Sequence, residues 1–203
     1  MPNLEKILTN HPVVVALAGP NGAGKSTFYE AVLSRTGLLF VNVDVIAAVT
    51  CVDAYTAADL AEAYREKLIS QRESFIFETV FSDPVGEKLQ TLCELERAGY
   101  TVLLIYIGIA GSDQSASHVA MRVAQGGHDV PIDKIADRYV RTLKNLSRAL
   151  DLLRNVLVYD HSDLKAGYRL VVRKLNGMME IVGDLPRWLL PHIPRDNPPR
   201  HLN

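Results

Sequence analysis

The chain has 203 residues, 48% hydrophobic and 22% charged, the make-up expected of one globular domain with its own core. Its formal net charge of −1 excludes a global basic field that would draw it to nucleic acid or anionic lipid. No apolar run nears the roughly 18 residues of a membrane span, "MPNLEKILTN" lacks a signal-peptide pattern, and Cys51 and Cys93 have no metal-ligand spacing, so a cytoplasmic protein with reduced thiols is expected.

"VVVALA" (13–18) is a β-branched run of the kind buried on both faces of a parallel sheet. A glycine-rich loop follows, then a helix from about Lys25 to Arg35. "LLFVNVD" (38–44) is a second strand ending in a carboxylate. A helix is expected over 56–73, capped by Thr56. "SFIFET" (74–79) is a third strand, with Glu78 near its end. Asp83 and Pro84 open a helix over 83–99 that closes on Gly99. "YTVLLIYIG" (100–108) is a fourth strand. Helices over 115–125 and 131–155 follow, and "VLVYD" (156–160) is a fifth strand. Near the C-terminus, Asn176-Gly177 between two apolar runs signals a hairpin with a type I′ turn. The proline-rich tail after it is expected to lie irregularly on the surface.

This alternation predicts an α/β fold of the P-loop NTPase type: a mostly parallel five-stranded sheet with helices on both faces, an arginine-bearing helical lid and a C-terminal β-hairpin. One domain is expected over 1–203, with its core at about 13–163 and the hairpin and tail at about 168–203.

Gly19, Pro20, Asn21, Gly22, Ala23, Gly24, Lys25 and Ser26, followed by Thr27, match G-x-x-x-x-G-K-[ST]. Glycines let the backbone curl so that its N–H groups point at phosphate oxygens, and the helix behind adds its N-terminal partial charge. Lys25 is expected to reach the β and γ phosphates and Ser26 to ligate Mg²⁺. A P-loop does not name the reaction. A motor ATPase usually has a strand ending in Asp-Glu, and no strand here does; a GTPase needs a base-reading motif, and none is found. Two strands do end near carboxylates, Asp44 and Glu78. Both would lie near the γ-phosphate if both strands neighboured the P-loop strand. A small kinase needs a carboxylate there to accept the proton of the attacking hydroxyl. A helix cap for Asp44 and a salt bridge for Glu78 stay open as plainer readings.

In "MRVAQGGHDVPIDKIADRYVRTLKNL" (121–146), Arg122 falls on one helix and Arg138 and Arg141 on the next, joined by a glycine hinge that holds His128. Ile135, Tyr139, Leu143, Leu146, Leu150 and Leu153 recur at helical spacing and face the core. Two hinged helices with arginines suit a lid that closes over transferring phosphate. The alternative is a solvated face with Asp137 paired to Arg141. His128 is a candidate substrate contact; His118, His161 and Trp188 read as structural.

"AGPNGAGKST", "NVDVIA", "FIFETVFS", "RVAQGGHDVP", "DRYVRTLKNL" and "VYDHS", in that order and spacing over about 13–163, together resemble the zeta-toxin family of P-loop kinases. The resemblance implies a fold similar to nucleotide kinases, with ATP and Mg²⁺ as cofactors. It implies transfer of phosphate to a sugar hydroxyl of UDP-N-acetylglucosamine or a related UDP-sugar, the reaction by which characterised toxins of the family starve cell-wall synthesis. Carried over, Lys25 and Ser26 are the phosphate and metal residues and Asp44 is the base. Glu78 and Thr79 fall at substrate contacts. Arg122, with Arg138 and Arg141, matches arginines that stabilise the transferring phosphate. An antitoxin protein becomes a candidate partner, and nucleic acid and membrane are not expected. A kinase of another hydroxyl, or a nucleotide-binding regulator without phosphotransfer, remains the alternative.

Overall fold

A computed structural model describes residues 6–124, 131–194 and 200–201. β1 (Val13–Ala18) is buried at every position and lies between β3 (Phe75–Thr79) and β4 (Thr101–Gly108), parallel to both. β2 (Leu39–Val41) pairs with the far side of β3, and β5 (Val156–Asp160) with the far side of β4, again in parallel. Six contiguous apolar residues in β1, and the buried run Val102–Ile107 in β4, can only be satisfied by helices on both faces of the sheet.

Those helices are α1 (Lys25–Phe28), α2 (Val43–Thr50), α3 (Ala54–Ser70), α4 (Glu87–Arg97), α5 (Ser112–Ala124) and α6 (Ile132–Leu152). α1 runs on through a π turn (Tyr29–Leu33) and a 3₁₀ turn (Ser34–Thr36), so the helical stretch expected to Arg35 is present but wound unevenly. The expected core stripe of α6 is buried throughout, from Ile135 to Leu153. No described helix is long and apolar enough to cross a membrane.

Four expectations need correction. The sheet among the described residues has eight strands, not five: β6 (Arg169–Leu175) pairs antiparallel with β5, β7 (Met178–Ile181) antiparallel with β6, and β8 (Arg200–His201) parallel with β7. The hairpin extends the sheet because its β5-facing edge continues the ladder; its turn has Asn176 and Gly177 at φ 51° and 84°, as type I′ requires. α3 starts at Ala54, because Asp53 rather than Thr56 caps it, accepting from the N–H groups of Tyr55 and Thr56. α4 starts at Glu87 rather than near Asp83, because the backbone before it is held by α6 in a non-helical path. The tail is not wholly irregular on the surface. Trp188 and Leu189 are buried, and Trp188 Nε1 donates to Asp160 Oδ1 at 2.9 Å. The indole lies against Gly108, within 2.1 Å of where a Cβ would stand.

Candidate active site

β1 ends at Ala18 and the chain curls through 19–24 into α1. Lys25, only 6% exposed, turns back across this curl. Its Nζ donates to Gly19 O and Pro20 O, both at 3.1 Å, and lies 3.6 Å from Glu78 Oε1. Glu78 reaches the loop because β3 neighbours β1, with Leu17 in register with Glu78. Its Oε2 accepts from Ser26 Oγ at 3.1 Å and from Asn42 Nδ2 at 2.9 Å. One carboxylate therefore ties the loop lysine, the loop serine and the β2–α2 corner together.

Asn42 is the residue that sequence reasoning missed. It is buried to 6% exposure, and while its amide nitrogen serves Glu78 its Oδ1 caps α2 through the N–H groups of Asp44 (2.8 Å) and Val45 (3.2 Å). An Asn placed just before an apolar helical pattern is a cap signal, and that could have found it. Asp44 is thus neither at a strand end nor a cap: it is the second residue of α2, with an exposed side chain. The premise that both carboxylate strands neighbour β1 holds for Glu78 alone. β2 lies beyond β3, which sets the β2–α2 corner two inter-strand spacings, about 10 Å, from β1.

The arginines separate. Arg141 Nε donates to Ser82 O at 3.0 Å. Its neighbours on α6 act alike: Thr142 Oγ1 bonds Val80 O at 2.7 Å, and Asn145 Nδ2 bonds Phe81 O and Asp83 O, both at 3.0 Å. Together they grip the loop that leaves Thr79, whose Oγ1 accepts from Phe81 N. Phe81 is buried at φ 59°, a conformation that costs a bulky residue of order 1 kcal/mol or more and persists only when its surroundings over-determine it. Arg141 therefore acts as a clamp on this loop through its Nε. Arg138 is half-buried one turn before Thr142. His128 lies outside the described residues, as does the side chain of Arg122; backbone position 122 falls on α5. Arg148 is exposed, and its NH1 stands 3.4 Å from Val85 O.

At the end of β5, Asp160 accepts from Ser162, Trp188 and Arg169. Burial alone would raise its pKa, but these hydrogen bonds outweigh burial and hold the carboxyl below the usual range. His118 and His161 both bond the P-loop backbone, at Gly22 O and Ala23 O.

A family model for zeta toxin matches residues 4–171. The chain belongs to the zeta toxin family. Solved structures sharing its fold include a chain of the AvrRxo1-ORF1:AvrRxo1-ORF2 complex with sulphate ions, at TM-score 0.65 and 19% identity over 88% of this chain and 64% of that one. The same complex has also been solved with ATP. A chain of the PezAT chromosomal toxin-antitoxin system of Streptococcus pneumoniae matches at TM-score 0.58 and 16% identity, covering 78% of this chain and 74% of that one. A putative kinase from Chloroflexus aurantiacus matches at TM-score 0.55 and 22% identity, covering 76% and 90%. This zeta toxin family member spans less than two thirds of the AvrRxo1 neighbour's length. At such identities the likeness is one of fold. No curated protein matches the sequence.

Proposed function

We propose that this protein is an ATP- and Mg²⁺-dependent kinase that transfers the γ-phosphoryl group to a hydroxyl of a UDP-activated sugar such as UDP-N-acetylglucosamine. The carrying observation is the division of labour between the two carboxylates. Glu78 is engaged by Ser26, Asn42 and Lys25, whereas Asp44 stands exposed in the first turn of α2.

The Ser26 hydroxyl and Glu78 carboxylate, hard oxygen donors 3.1 Å apart at the mouth of the loop, suit Mg²⁺. Ser26 would hold it, with Glu78 close by; bound there it would offset charge on the β and γ oxygens. Lys25 would exchange its loop carbonyls for those oxygens. Gly19 to Thr27 would line the nucleotide phosphates. Asp44 accepts the acceptor's hydroxyl proton as the hydroxyl oxygen bonds phosphorus and ADP leaves. The roughly 10 Å between β1 and the β2–α2 corner leaves room for the phosphoryl group and the acceptor between them. Thr79 and the clamped loop after it border that space, with His128 and Arg138 as further contacts. Arg122 would stabilise the transferring charge: position 122 is one helical turn beyond His118, which docks on the loop. An antitoxin protein is the proposed partner and the cytoplasm the proposed location, following the toxin-antitoxin setting of the PezAT neighbour.

The test incubates the protein with Mg-ATP and a mixed pool of nucleotide sugars and nucleosides, and reads mass gains of one phosphate. Gain on a UDP-sugar supports the reading. Gain elsewhere alone removes the substrate and keeps the kinase. Binding of ATP without any gain points to the regulator.

A further inference from the structure

Four successive carbonyls of the P-loop are each held by a side chain from outside it. Ser115 Oγ donates to Asn21 O at 2.6 Å. His118 Nδ1 lies 2.9 Å from Gly22 O, and His161 Nδ1 lies 2.9 Å from Ala23 O. Tyr168 Oη donates to Gly24 O at 2.7 Å. The donors come from α5, the loop after β5 and the residue before β6. A carbonyl oxygen only accepts, so both histidines must carry their proton on Nδ1. His161 also stacks on Tyr168, with ring centroids 4.1 Å apart, which fixes its ring plane.

The fit behind the loop is close. A Cβ on Gly22 would stand 2.8 Å from His118 Cβ, and one on Gly24 would stand 2.8 Å from Tyr168 Oη and 3.0 Å from His161 Nδ1. Both glycines also have positive φ, 72° and 88°. The loop thus has no space for side chains on this face, and its carbonyls are pinned there.

We propose that Ser115, His118, His161 and Tyr168 form a brace that pre-organises the nucleotide cradle, the two histidines acting as positioning residues through Nδ1–H. Pinning successive C=O groups on one side fixes the peptide planes, so the loop need not be ordered when phosphate arrives. Preorganisation of this kind raises affinity by lowering the ordering cost of binding. The brace also joins α5, which carries Arg122, to the strand end that carries His161, through the loop that holds the phosphates. The proposal rests on the nucleotide reading above.

The experiment measures Mg-ATP affinity by calorimetry, and melting temperature, on the full chain. Ser115→Ala and Tyr168→Phe each remove one hydroxyl with little change of shape. His118→Leu and His161→Leu remove the donor, while His118→Asn and His161→Asn keep an N–H donor the same number of bonds from Cα. Each loss of a donor should weaken Mg-ATP binding roughly 2- to 12-fold, the affinity equivalent of one net hydrogen bond. The Asn variants should recover most of it. Nitrogen-15 spectra at mildly alkaline pH should show both rings in the Nδ1–H form. Parental affinity in all donor-removed variants, with only melting lowered, would overturn the brace and leave a packing role. Asn variants as weak as the Leu ones would overturn it too, as would an Nε2–H tautomer. A parent that binds no Mg-ATP would instead overturn the nucleotide reading, and this proposal with it.

Discussion

Asp44→Asn separates a kinase from a nucleotide-binding regulator, and the structure supplies its magnitudes. Asn42, not Asp44, caps α2, and Asp44 is exposed in the first helical turn. The substitution therefore costs at most the favourable contact of a carboxylate with the helix N-terminus, about 0.3–1 kcal/mol. For a chain of this size that lowers melting by roughly 4 °C or less. ATP affinity should stay near parental, because β3 stands between β2 and the P-loop strand and Glu78 faces Ser26 and Lys25 instead. An Asn cannot take a proton at neutral pH, so the transfer rate should fall by roughly 10² to 10⁴, about 2.7–5.4 kcal/mol in barrier height. The expected loss in rate exceeds the loss in stability several-fold. The assay is single-turnover transfer at saturating acceptor, with Mg-ATP affinity and melting on the same protein. A parental transfer rate would refute the argument and leave Asp44 as a first-turn helix residue. Loss of ATP binding would move it to the metal's surroundings and make Glu78 the next candidate base.

Lys25→Ala should keep the fold, since Glu78 retains Ser26 and Asn42, but weaken Mg-ATP binding roughly 10- to 150-fold, the worth of a charge-assisted hydrogen bond; parental affinity in calorimetry would contradict the cradle. Arg141→Ala should lower melting by roughly 2–4 °C through loss of about 1 kcal/mol at Ser82 O, and leave Mg-ATP affinity unchanged. Slower transfer with unchanged melting would return Arg141 to the substrate. Asp160→Asn tests a depressed pKa: the carboxylate's contribution is complete above the unfolded value of about 4 and is lost as pH falls through the lower folded value. The melting gap between parent and variant should therefore be widest near neutrality and close in acid; a gap independent of pH would show that the charge is not what stabilises.

How much of this was legible beforehand differs from element to element. Strand β1 followed by the glycine loop, and the stripe from Ile135 to Leu153, were readable because burial imposes a pattern on neighbours in sequence, and both lie where that pattern put them. The hairpin turn at Asn176-Gly177 was readable because the φ values it needs belong to few residues. Helix starts were read less well. Caps are single side chains, and Asp53 and Asn42 competed with Thr56 and Asp44 for that role.

Which residues meet across the chain is a matter of packing. Strand order is not written in local periodicity, so nothing in the sequence says that β3 neighbours β1 while β2 is displaced to the edge. That order assigns Glu78 to Ser26 and Lys25 and leaves Asp44 apart. Charge and helical spacing, which make Arg141 a candidate at the phosphate, are local properties; its bond to Ser82 O depends on a partner 59 residues away. The same holds for His118 and His161, separated from the carbonyls they hold by 96 and 138 residues. The kind of loop and the kind of fold follow from contiguous residues and are written there. The pairing of side chains around the loop follows from the packing of the sheet, and only the folded chain contains it.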